Sequence, residues 1–122
     1  MLISYEILFF LARLFLALYF VIGGCFDLYL RHDALNLMQQ KKIPLRRVLL
    51  TGAIALKIIF GLALIFGLHI KIAALILALF TLTANIIFHN FWAAEGKKKI
   101  FEASNFLVNL AVIGGLLLIV IA

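Results

Sequence analysis

Four long apolar runs dominate the sequence, and they leave few folds open. Residues 5–30, 48–68, 72–92 and 105–122 each come close to the roughly 20 residues that cross a bilayer as a helix. The runs are continuous rather than alternating, and an open sheet in lipid would leave backbone groups unpaired. The expected fold is therefore all-α: a four-helix transmembrane bundle forming one domain over residues 1–122. The composition agrees, since 67% of the 122 residues are hydrophobic, against roughly half in soluble domains.

The opening "MLISYEILFFLARLF" has no basic leading region, its apolar run is long, and no A-x-A site follows. It is expected to stay in place as the first span. Charge then orients the chain. The net charge of +6 comes from 11 Lys+Arg against 5 Asp+Glu. The segment 31–47 carries Arg31, Lys41, Lys42, Arg46 and Arg47, and the segment 93–104 carries Lys97, Lys98 and Lys99. The short link between the middle spans carries only Lys71. This asymmetry puts loops 31–47 and 93–104 in the cytoplasm and both termini together on the outer side. A bacterial inner (plasma) membrane is the expected location. The basic residues follow topology, with no aromatic-interleaved surface of the kind that binds nucleic acid.

Within 31–47, Asp33 is placed to cap a short helix "ALNLMQQKK" that Pro44 would end; a solvated basic loop fits equally well. The pairs Gly23–Gly24 and Gly114–Gly115 mark close helix contacts or ordinary packing. The lone Cys25 excludes an intrachain disulfide and reads as a small buried packing residue.

The informative residues are the polar ones inside the apolar runs. Glu6, Arg13, Asp27 and Lys57 are charged, and a charge at membrane depth needs a partner or water. Lys57 lies roughly 13 Å from the cytoplasmic end of its span and Asp27 roughly 5 Å from the end of its own, at 1.5 Å rise per residue. Helical side chains lean toward the helix N-terminus. Lys57 therefore leans toward the cytoplasm and Asp27 away from it, so the two are expected to pair.

Thr81, Asn85 and His89 recur at helical spacing on the third span, and Asn105 and Asn109 on the fourth. With Tyr19 on the first, they suggest an interior cluster of Tyr19, Asp27, Lys57, Asn85, His89 and Asn109. Such a cluster is a candidate ligand site; it is equally what helices use as polar glue. Arg13 and Thr81 share a depth and form a candidate secondary polar site, with Glu6 two turns from Arg13. No metal or haem is expected: His69 stands at the opposite end from His32 and His89, which share a side but make a weak haem pair because His32 reads as a loop residue, and no zinc-type spacing occurs. Nucleotide loops and nucleophile elbows are absent.

The segments "RLFLALYFVIGGCFDL", "GLHIKIAALILALFTLTA", "FHNFW" and "NFLVNLAVIGGLLLI" resemble the DoxX family of small four-helix membrane proteins. His89, Phe91 and Trp92 and the glycine-pair ending are the most specific parts, and Arg13 matches a position that tends to be arginine. The family often has lysine where this chain has Asp27 and glutamate where it has Lys57. That exchange of signs suits an ion pair. The resemblance implies association with membrane redox systems.

Two functions follow as expectations. One is an accessory subunit of a redox system, not an enzyme on its own, binding a quinone or other lipid headgroup through Lys57, His89 and Asn85 and working with a membrane or soluble redox partner. The other is a non-catalytic scaffold or assembly factor for another membrane protein. A transporter would need an oligomer, and no charged ring pattern asks for one.

Overall fold

A computed structural model describes residues 4–122. The expectation that the N-terminal segment is retained reaches into residues 1–3, which lie outside the described residues. The described residues are helical, without strands, in the order α1 (Tyr5–Tyr29), α2 (Arg31–Gln40), α3 (Arg46–Phe66), α4 (Ile70–Phe88), a single 3-10 turn (Phe91–Ala93) and α5 (Gly96–Ile121). Of these, α1, α3, α4 together with the turn after it, and α5 are long and apolar enough to cross a membrane. Large apolar side chains such as Phe15, Phe26, Ile59, Leu79 and Leu118 stand well exposed along them. In water such faces would drive aggregation; in lipid they are the solvent-facing surface.

The helix ends follow from local chemistry. Ser4 caps α1 by accepting from the Ile7 N–H at 3.3 Å, with Glu6 in the first turn where the helix dipole favours an acid. The short helix expected in 31–47 exists, but it begins at Arg31 with Leu30 as its cap residue. Asp33 lies in its first turn instead of capping it. Pro44, which has no N–H to donate, stands in the turn that separates α2 from α3. The largest boundary difference is α5, which starts at Gly96 where a basic loop to residue 104 was expected. Apolarity marks where lipid begins, not where a helix begins. Lys, Glu and Ala are good helix formers, so the helix runs on through its polar flank.

The chain divides into two compact units, one ending at Leu68 and the other spanning His69–Ala122. In the first, α1 packs against α3, with α2 beside them. The contact is close because small residues face it: Ala17, Gly24 and Gly61 are all buried. A Cβ on Gly24 would stand 2.8 Å from Ile58 Cγ1, and one on Gly61 2.7 Å from Val21 Cγ2. Neither position can carry a side chain unless the facing residue shifts. In the second unit α4 packs against α5. Ala74, Leu77, Ala78, Thr81 and Asn85 make a buried stripe on α4, and α5 contributes Leu116 and Ile119.

Candidate functional site

The first unit holds the ion pair expected from helix depth. Lys57 Nζ lies 2.6 Å from Asp27 Oδ2. Lys57 comes from the middle of α3 and Asp27 from the last turns of α1, and the lean of both side chains closes the gap between them. Gly23 makes room for this. A Cβ there would stand 3.7 Å from Lys57 Nζ and 3.9 Å from its Cε, so the end of the lysine lies across the bare backbone of α1. The side chains are 19% and 38% exposed for Lys57 and Asp27. The ammonium has three donors and gives one to Asp27. Tyr19 stands on α1 two turns before Asp27, about two-fifths exposed.

Arg13, toward the other end of the same helix pair, acts as a cap. α3 ends on Gly67, whose φ of +73° is the left-handed conformation that glycine tolerates best. The N–H groups of Gly67 and Leu68 both go to the Ala63 carbonyl, which deprives Leu64 O of its usual donor. Arg13 Nη1 supplies it at 2.8 Å. The guanidinium also stands over the rings of Phe9 and Phe10, at 5.8 and 5.6 Å, within cation–π range. Its Nε is buried and has no acceptor among the described residues. Arg13 thus meets a helix terminus, where a positive charge suits the dipole, rather than Glu6.

The second unit holds the remaining polar residues. Asn85 is fully buried. Its Nδ2 donates to Phe106 O at 3.1 Å, and its Oδ1 accepts from Asn109 Nδ2 at 3.1 Å. His89, just past the end of α4, places Nδ1 3.3 Å from Glu102 Oε2, within hydrogen-bond distance. Phe91 and Trp92 meet Phe106 edge to face, with ring centroids 5.3 and 6.0 Å away. The HNFW element therefore clasps the start of α5 through one polar side-chain contact and one aromatic cluster. Thr81 donates to Leu77 O of its own helix at 2.7 Å.

Of the six residues of the expected interior cluster, Tyr19, Asp27 and Lys57 belong to the first unit, where Asp27 meets Lys57, and Asn85, His89 and Asn109 to the second, where Asn85 meets Asn109. Arg13 and Thr81 each bond backbone carbonyls of their own unit. Glu102 was missed by sequence reasoning because it was assigned to a loop. A signal was present, since Glu102, Asn105 and Asn109 share one face once the helix is extended backwards. Arg31, whose Nη2 donates to Thr51 Oγ1 at 3.0 Å, ties α2 to α3 and was also missed. Among the described residues no group of three or more His, Cys, Asp or Glu could hold a metal ion.

Chemically, the first unit offers a part-exposed ammonium with a carboxylate beside it. The second offers polar groups already engaged with one another. A family model described as DoxX matches residues 8–90. That range runs from the first turn of α1 past the end of α4, including Asp27, Lys57, Asn85 and His89. No curated protein and no solved structure matches the chain.

Proposed function

The chain belongs to the DoxX family, and from that premise we propose that it is a non-catalytic accessory subunit of a membrane redox system. It is an integral membrane protein, and its role in this proposal is to hold or assemble a partner that carries the electrons. One observation carries the proposal: Asp27, Lys57, Asn85, Asn109 and His89 each tie one helix to another. Lys57 meets Asp27, Asn85 meets Phe106 O and Asn109, and His89 meets Glu102. Interior hydrogen bonds of this kind are how membrane helices are fixed to each other. The redox setting comes from the family resemblance. By the charge asymmetry of its loops, the proposal places segments 31–47 and 93–104 on the cytoplasmic side of a bacterial inner membrane.

A second reading rests on Lys57. Its ammonium keeps two donors beyond the one used on Asp27, and it lies on the open backbone at Gly23. A quinone carbonyl could accept from it there. Asn85 and His89 are already engaged, so Lys57 would be the only donor of the three. Purification in native lipid, with a visible spectrum and mass spectrometry of both protein and organic extract, separates the readings. A stoichiometric partner bearing a redox cofactor, without quinone, supports the accessory subunit. A stoichiometric quinone lost in a folded Lys57→Gln variant supports the headgroup site.

A further inference from the structure

A cleft of about 460 Å³ opens between α2 and the start of α3. Asn36 and Gln39 line it from α2, and Arg46 and Arg47 from α3. No carboxylate lines it, and among the described residues neither arginine has an acidic partner. Two arginines lining one space without a counter-charge favour an anion there, and a guanidinium fork matches the geometry of a phosphate or a carboxylate, of which the bilayer surface supplies phosphate. The volume exceeds what a lone ion fills and falls in the range of small-molecule pockets. α2 joins two membrane-spanning helices, so the cleft lies at the bilayer edge, the level of the headgroups. Leu45 and Val48, 72% and 67% exposed, also line it. They offer an apolar side to a ligand whose other end is charged.

We propose that this cleft binds the phosphate of an anionic phospholipid. Arg46 and Arg47 hold the phosphate, Asn36 and Gln39 donate to the glycerol and ester oxygens, and Leu45 and Val48 meet the first part of the acyl chains. The basic residues of segment 31–47 thereby form a specific headgroup site in addition to orienting the chain.

The test is native mass spectrometry of the full chain in neutral detergent. It is titrated with phosphatidylglycerol, with phosphatidylcholine of the same acyl chains, and with inorganic phosphate. Phosphatidylglycerol should bind about tenfold or more tightly than phosphatidylcholine, and Arg46→Gln/Arg47→Gln should remove that preference. Lys97→Gln/Lys98→Gln, which deletes the same charge elsewhere, should leave it intact. Asn36→Leu, on the opposite wall, should weaken phosphatidylglycerol binding and serves as the test if the arginine variant does not fold. Equal losses in the arginine and lysine variants, or no preference between the lipids, would overturn the site. Inorganic phosphate binding as tightly as phosphatidylglycerol would assign the cleft to the free ion and overturn the lipid.

Discussion

Removing either half of the Asp27–Lys57 pair should destabilise the first helix pair, and unequally. Lys57 stands eleven residues into α3, roughly 17 Å from its start by helical rise, which is near the middle of a hydrocarbon core about 30 Å thick. In Asp27→Asn the ammonium stays at that depth without its counter-charge. Insertion scales put a lone lysine there at about 2.5–3.5 kcal/mol, so a loss of about 3 kcal/mol is expected. In Lys57→Gln the remaining carboxylate sits in the last turns of α1 with its side chain 38% exposed. It can reach water, so the expected loss is smaller, about 1–2 kcal/mol. The double variant leaves no charge and should lose only about 2 kcal/mol, less than the sum, for a coupling of about 2–3 kcal/mol. Equilibrium unfolding of the four proteins in one detergent, followed by helical circular dichroism, measures the cycle. Exchanging the charges, as Asp27→Lys with Lys57→Glu, should recover most of the stability. Additive single effects, within about 0.5 kcal/mol, would refute the coupling.

Other consequences can be checked separately. Gly61→Val should cost about 1–3 kcal/mol in the same unfolding assay, because its first carbon alone would meet Val21 Cγ2 at 2.7 Å. Asn109→Ala leaves Asn85 Oδ1 without the donor it now has at 3.1 Å; a loss of about 1 kcal/mol is expected, whereas Asn105→Ala should change less. For topology, single cysteines near Lys71 and near Lys98 in a Cys25→Ala background should label differently in intact cells. An impermeant reagent should reach the first and not the second, and labelling near Lys98 would reverse the proposed orientation.

Much of the membrane architecture is legible in the sequence because lipid imposes a length and a polarity on every span. The Asp27–Lys57 pair is legible for a related reason. Two opposite charges at known depths on antiparallel helices can be aligned by rise and side-chain lean alone. Asn85 and Asn109 stand out as carboxamides in apolar runs, but the sequence does not say whether they face a ligand or each other. Their partners decide that, and one partner is the carbonyl of Phe106, which has no residue-type signature. The same holds for Arg13, whose acceptor Leu64 O becomes available only because of the turn at Gly67. Glu102 and the helical start of α5 were obscured by polarity, since the apolar signal stops where the helix leaves lipid. The cleft beside α2 depends on the angle between a short helix and the start of the next span, and no periodicity encodes that angle.

The most direct test of the accessory-subunit account is to purify the protein from its own membrane in native lipid and quantify what comes with it. The account predicts a partner in stoichiometric amount whose redox cofactor is visible in the spectrum, retained in a folded Lys57→Gln variant, and no stoichiometric quinone in the organic extract. A protein that arrives without a redox partner but with one quinone per chain, lost in Lys57→Gln, would contradict it and make Lys57 a headgroup ligand.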